Sequence, residues 1–257
     1  VTRFIDISMP ISNDVLTDPP PLRPQIRYSG HKEGVEQMLP FFPGLTAEDL
    51  PDGEAWAVEE ITLSTHSGSH MDAPWHYHST TDNGAKRAPT IDEAPLDLFL
   101  RPGVKLDFRA LPDGYVVSAA DIEAELSRIG YVLQPFDIVL VNTSASSAYG
   151  GPNFVESGCG IGREATLFLT SSGVRVVGTD AWSWDAPFSH TARRFAETGD
   201  PSIIWEGHKA GREIPYYQME KLQNLESLPA HGFTIACFPV KIERASAGWV
   251  RAVAIFE

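Results

Sequence analysis

Apolar and polar residues alternate at the start of the chain, where Ile5, Ile7 and Met9 are interleaved with Asp6 and Ser8. This period of two predicts a strand over residues 4–12, ending near Pro10. Alternation returns over residues 60–65. Shorter apolar runs predict strands at 103–108, 136–141 and 174–180, the last ending in Asp180. Helical signals are confined to two stretches. Ser118 caps one, with Asp121 in its first turn, and that helix runs to about Ile129; residues 162–172 form the other. Further strands are predicted at 203–205, 233–239 and 249–256, with 218–225 as a separate segment before Pro229. Residues 144–160 read as a Ser/Gly loop. Residues 13–55 are dense in Pro and Gly, including Pro19-Pro20-Pro21, and predict a long irregular segment. That segment carries Phe41 and Phe42, a pair unfavourable in water and so a candidate pocket wall. Strands and helices alternate without a strict repeat, which predicts one mixed α/β domain over residues 1–257 rather than a doubly wound sheet.

Four of the eight histidines fall between His66 and His78. Imidazole with carboxylate is the donor set of a borderline divalent metal, and a further histidine nearby can pass protons. His66 and His70 are four apart, as in helical zinc sites. Gly68, the Ser/Thr residues from Ser64 to Ser69, and Pro74 all oppose a helix there. The lead-in alternation predicts extended chain instead, with His66, Gly68, His70 and Asp72 on one face and Gly68 leaving room between the imidazoles. Two histidines and a carboxylate on one buried face need a partner for their polar atoms, and a cation supplies one. The bland alternative is a solvated His-rich loop. His76 and His78 share the same parity only if Pro74 leaves the strand intact, which is not expected.

Composition narrows the function. The net charge is −14 and no basic patch is present, so nucleic acid and acidic membrane surfaces are not expected partners. Cys159 and Cys237 are too few for a disulfide framework, and a nucleophilic Cys159 is not expected, since it would need a partnered histidine and an electropositive setting. No Gly-x-Ser-x-Gly elbow supports serine chemistry. No apolar run reaches the length of a membrane span and the first residues lack a signal-like core, so a cytoplasmic protein is expected. Six Trp and thirteen Phe favour an aromatic wall beside the histidines. Trp75 lies inside the histidine segment, and Trp182, Trp184 and Phe188 form a second aromatic group.

The eleven residues from His66 to His76, His-Ser-Gly-Ser-His-Met-Asp-Ala-Pro-Trp-His, resemble the HxGTHxDxPxH signature of the cyclase family of metal-dependent hydrolases. That family includes formamidases and isatin hydrolases. Ser69 replaces the usual Thr and keeps the hydroxyl. Asp6-Ile7-Ser8-Met9-Pro10-Ile11 is similar to the family's opening strand, and Gly178-Thr179-Asp180 with Ser183 and Asp185 to a later segment. His208 and Glu220 have the family's twelve-residue distal spacing, and Glu220 opens a run similar to E-x-L-x-N-L. The resemblance implies a swivelling β/β/α fold. It implies His66, His70, Asp72, His208 and Glu220 as ligands of one or two Mn²⁺ or Zn²⁺ ions, with Asp72 the natural bridge, and His76 as the proton-transfer residue. Gln218, Glu213 and His231 lie close enough to take a distal role instead. Trp75, Phe41, Phe42 and Trp184 are the expected substrate contacts. The expected substrate is a small aromatic or cyclic carbonyl compound: a cyclic amide such as isatin, with an arylformamide or an unsaturated lactone as alternatives. A non-catalytic metal-binding protein is the competing class. A homodimer or higher homo-oligomer is also expected.

Overall fold

A short apolar run buries both faces of its strand, and the run near residue 138 does so. In the computed structural model, which describes residues 1–257, Ile138–Asn142 is buried throughout. It lies in the middle of a nine-stranded mixed sheet. In chain order the strands of three or more residues are β1 (Arg3–Asp6), β2 (Gln25–Ser29), β3 (Val58–Thr62), β4 (His70–Asp72), β5 (Leu100–Asp107), β6 (Ile138–Asn142), β7 (Val176–Thr179), β8 (Tyr217–Glu220), β9 (Phe233–Ala236), β10 (Ala247–Trp249) and β11 (Val253–Phe256). Strands β2 and β3 pair only with each other. The other nine run β1-β11-β9-β5-β6-β7-β8-β4-β10 across the sheet. Neighbours from β5 to β8 are parallel and the flanking pairs antiparallel. The helices are α1 (His31–Met38), α2 (Pro74–Tyr77), α3 (Ala119–Ile129), α4 (Arg163–Ser171), α5 (Phe188–Thr198) and α6 (Glu206–Ala210).

The two faces of the sheet bury separate cores. Ile138 and Leu140 join Ile7, Met71, Met219 and Ile235 on one side. Val139 and Val141 join Ile122 and Leu126 of α3 and Ala165 and Leu169 of α4 on the other. Only three residues separate β10 from β11, yet β10 is an edge strand and β11 lies next to the opposite edge. The sheet must therefore curl around the first core. This is one mixed α/β domain, as the strand pattern predicts.

The helix over residues 118–129 forms as expected. Ser118 Oγ accepts from the Asp121 N–H at 3.3 Å, Asp121 accepts from the Ser118 N–H at 2.8 Å, and Gly130 ends the helix in the left-handed region. Four expectations are corrected. Residues 203–205 are not a strand: Pro201–Ile203 is a 3₁₀ turn, and Trp205, with φ +58°, begins α6. The Asp200 carboxylate accepts from the Ser202 N–H at 2.9 Å and sets that turn, overriding the apolar run that follows. Residues 249–256 divide into β10 and β11. Residues 13–55 are not irregular throughout, since they hold β2 and α1. Finally, the extended chain expected from His66 to Asp72 holds only over β4, because Gly68 has φ +63° and turns the backbone.

Candidate active site

Strand register assembles the site. β4 pairs antiparallel with β8, setting Glu220 opposite His70 and Gln218 opposite Asp72. Opposed residues share a face, so these four polar side chains meet while Met71 and Met219 turn into the apolar core between them. His66 joins by the turn at Gly68. His76 arrives on α2, which Pro74 starts as a single turn, and His208 on α6.

Asp72 is the hub. Its Oδ1 lies 2.9 Å from His66 Nδ1 and 3.2 Å from His70 Nε2, and its Oδ2 lies 3.8 Å from the Nε2 atoms of His76 and His208. Glu220 Oε2 is 3.6 Å from His70 Nε2, and Glu220 Oε1 is 3.5 Å from His208 Nε2. Three of the imidazoles are oriented from outside the cluster. The Nδ1–H of His70 donates to the Gly68 carbonyl at 2.9 Å, leaving Nε2 facing Asp72 and Glu220. The Nδ1–H of His208 donates to Asp185 at 2.5 Å, and Asp185 also accepts from the Gly207 and His208 backbone N–H groups. His66 Nε2 pairs with the Ser246 hydroxyl at 2.9 Å, leaving Nδ1 toward Asp72. Such outer hydrogen bonds are how proteins fix metal-binding imidazoles. The His76 ring makes no hydrogen bond of this kind.

The electrostatics follow from burial among opposite charges. Burial pushes the Asp72 carboxyl up, but His70, His76 and the contacts with His208 and His66 outweigh it and hold it well below the usual range. Burial disfavours the protonated forms of His70 and His208, yet the neighbouring carboxylates prevail and raise both, His208 strongly through Asp185. His76 differs. Burial, with His66 and His208 nearby, outweighs Asp72 and lowers it to about 4, so it is neutral at neutral pH.

A cation fits this arrangement. His70 Nε2 and both Asp72 oxygens are buried without a hydrogen-bond partner, because the close approaches to Asp72 lack hydrogen-bond alignment. Leaving three such atoms unpaired is costly, and cation ligation satisfies them together. Two ligand trios each lie within 4.8 Å and share Asp72: His66, Asp72 and His76, and His70, Asp72 and Glu220. In its neutral form His208 accepts at Nε2 from the Gln218 amide 3.0 Å away, so a cation taking His208 competes with that bond.

The sequence profile of the Cyclase family matches residues 5–186. The chain belongs to the Cyclase family. It is similar to a kynurenine formamidase of Maricaulis maris, at 28% identity over 84% of this chain and 91% of that protein. Among solved structures it is similar to isatin hydrolase A of Ralstonia solanacearum, with a TM-score of 0.77 and 21% identity, covering 100% of this chain and 92% of that one. A second isatin hydrolase, bound to the product analogue thioisatinate, aligns with a TM-score of 0.74 and 20% identity over 99% and 92% of the two chains. These likenesses show the fold.

The cyclase-family cluster opens into a cavity of about 300 Å³. His66, His76, His208 and Glu220 lie at one side, and Trp182, Trp205 and Phe188 supply aromatic wall. Trp205 stacks on His208, with centroids 4.4 Å apart, and meets His76 edge-on at 5.1 Å. The structure therefore brings together His66, His70, Asp72, His76, His208 and Glu220, all six residues expected at the metal and proton-transfer site. It does not bring the four expected substrate contacts to this cavity. Trp184 is core, its indole N–H donating to Thr166 Oγ1 at 3.0 Å and its backbone N–H holding Glu220 at 3.1 Å. Trp75 points outward because α2 turns it away from His76. Phe41 and Phe42 are exposed on the segment between β2 and β3. Of the neighbours that could have replaced the distal pair, Gln218 is in the cluster, where it bonds both His208 and Glu220. Glu213 pairs with Arg163, and the His231 ring lies tilted against Tyr131. Trp205, Ser246 and the role of Asp185 emerge only in the fold. Asp185 lay in a segment that resembles the family, whereas Trp205 carried only its place three residues before His208.

Proposed function

We propose that this cyclase-family chain hydrolyses a cyclic amide of the isatin type, opening the ring to an aromatic keto acid. The observation that carries the reading is the buried cluster of unpartnered ligand atoms opening directly onto an aromatic-walled cavity of bicyclic size. His66, His70, Asp72 and Glu220 would hold a divalent cation, Mn²⁺ or Zn²⁺, with His208 beside them and Asp72 shared if two bind. When bound, that cation supplies Lewis-acid polarisation of a carbonyl and makes water more acidic. The chain's own residues do the rest. Trp182, Trp205 and Phe188 bind the flat ring and exclude water from its faces. Neutral His76 accepts a proton at Nε2 from the attacking water and returns it to the departing ring nitrogen. Asp185 holds His208 in one tautomer, and Gln218 holds Glu220.

Arylformamide hydrolysis is the second reading, favoured by the formamidase relative from Maricaulis maris. Assay of the metal-supplemented protein on isatin, N-formylkynurenine and a dienelactone tests both. The highest kcat/KM is expected on isatin. Turnover of the formyl compound alone would favour the second reading, and no turnover of any would leave a metal-binding protein.

A further inference from the structure

The alternation of β8 breaks at its end. Tyr217 and Met219 face the apolar core and Gln218 and Glu220 face the cluster, so continued alternation would turn Lys221 to the core side. Lys221 instead has φ +58°, uncommon for a residue with a side chain, and lies on the cavity wall. Its backbone is held on both sides. The Lys221 N–H donates to Ala181 O at 3.0 Å, and the Lys221 carbonyl accepts from Ser69 Oγ at 2.6 Å.

The side chain is 2% exposed. Its ammonium donates to the Asp18 carboxylate and, at 2.8 Å, to the His66 carbonyl, and lies 5.7 Å from the Trp182 ring centroid. Asp18 is buried as well and accepts from the Gly68 N–H at 3.3 Å and the Trp182 indole N–H at 3.2 Å. The pair thus ties together the histidine turn, the Trp182 wall and the end of β8. An ammonium has three N–H donors. Two of those on Lys221 have protein acceptors; the third has none. Lys221 is also the one lysine or arginine on the cavity wall.

We propose that Lys221 is a substrate-orienting residue whose third N–H binds an oxygen of the ligand, and that the ligand class is an aryl carbonyl compound whose hydrolysis leaves a carboxylate beside the ring. Asp18 offsets the buried charge and fixes the ammonium, while the remaining donor makes a charge-assisted hydrogen bond that favours the carboxylate. The assignment rests on the hydrolase reading for its substrate class, but its test does not need turnover.

Benzoate binding to the Mn²⁺-loaded protein, measured by calorimetry, is the probe. Asp18→Asn with Lys221→Met removes both charges, leaves no buried carboxylate unpaired, and should bind at least tenfold more weakly at unchanged metal content. Asp18→Asn with Lys221→Gln, which also leaves no buried charge unpaired, serves as the second variant should the first fail to fold, with the same loss expected. Equal benzoate affinity in parent and Lys221 variants would overturn the proposal, as would no measurable binding to the parent. A pair acting only as a tie predicts that the double variant loses neutral benzamide as much as benzoate, and that result also overturns the proposal. Benzoate binding lost as expected in a protein that hydrolyses no amide would fault the hydrolase reading and leave Lys221 in place.

Discussion

Residues in this cluster differ in how firmly they are held, and that difference separates their roles. His70 and Asp72 are fully buried with unpartnered ligand atoms, so His70→Ala or Asp72→Ala should lose bound metal and activity together. His76 is more exposed and its ring is not fixed by a hydrogen bond. His76→Ala should keep the metal while kcat falls roughly 10²–10⁴-fold, the usual scale of general acid–base catalysis. Metal analysis beside kinetics checks this, and release of metal from His76→Ala would make His76 a ligand of the trio it forms with His66 and Asp72. The aromatic wall gives a second contrast. Trp205 stacks on His208 at the cavity, whereas Trp75 is 39% exposed and outside it. Trp205→Ala should raise KM for a bicyclic substrate by about tenfold, from a loss on the order of 1–2 kcal/mol of stacking and apolar burial. Trp75→Ala should leave KM within about twofold, since exposed substitutions rarely matter. Similar KM changes in the two variants would contradict that placement.

At the scale of elements, the pairing of β4 with β8 gathers ionisable groups whose titrations oppose one another. Asp72 and Glu220 are lowered in the folded chain despite burial, mainly by His70 and His76 and by His208 respectively. They stabilise it above the ordinary carboxylate range, and that contribution is lost as pH falls through the depressed values. His70 and His208 are raised from 6.5, so their contribution is full below that pH and is lost as pH rises through the folded values. Chelated protein should therefore lose stability progressively above this range, where the imidazole lone pairs become free for a cation. The rise in Tm on adding Mn²⁺ or Zn²⁺ should be larger near pH 8.5 than near pH 6, and an equal rise at both would contradict the assignment of histidine ligands. Element type was legible in the sequence where local signals agreed, as at Ser118–Gly130 and along β6. It was misread at 203–205, where an Asp–Pro turn overrode an apolar run, and at 249–256, where one run serves both ends of a curled sheet.

At the scale of the whole molecule, the hairpin of β2 and β3 with α1 stands apart from the nine-stranded sheet. Every residue of β3 is exposed, and Tyr28, Phe41 and Phe42 are 64%, 71% and 54% exposed. A two-stranded sheet is marginal by itself, and apolar side chains in this number are costly in water. We expect a second copy of the chain to cover this arm, in line with the homo-oligomer anticipated from the sequence. Light scattering after size exclusion should give a dimer at micromolar concentration, and Phe41→Ser with Phe42→Ser should shift it toward monomer. A parent protein that is monomeric at that concentration would contradict this. No helix is long and apolar enough to cross a membrane.

The sequence alone named the residues that the fold gathers, though not their roles. His66, His70 and Asp72 were legible because residue type and spacing are local properties, and the eleven-residue segment resembles a family whose pattern also pointed to His76, His208 and Glu220. What only the tertiary structure decided was which aromatic residues meet that cluster. Trp184 and Trp205 look alike in the sequence, yet one is sealed in the core beside Thr166 and the other stacks on His208. The register of β4 against β8, the left-handed backbone at Trp205 and Lys221, and the burial of Asp18 against Lys221 all join residues far apart in the chain. Each depends on which buried faces fit together, and no local period of hydrophobicity encodes that fit.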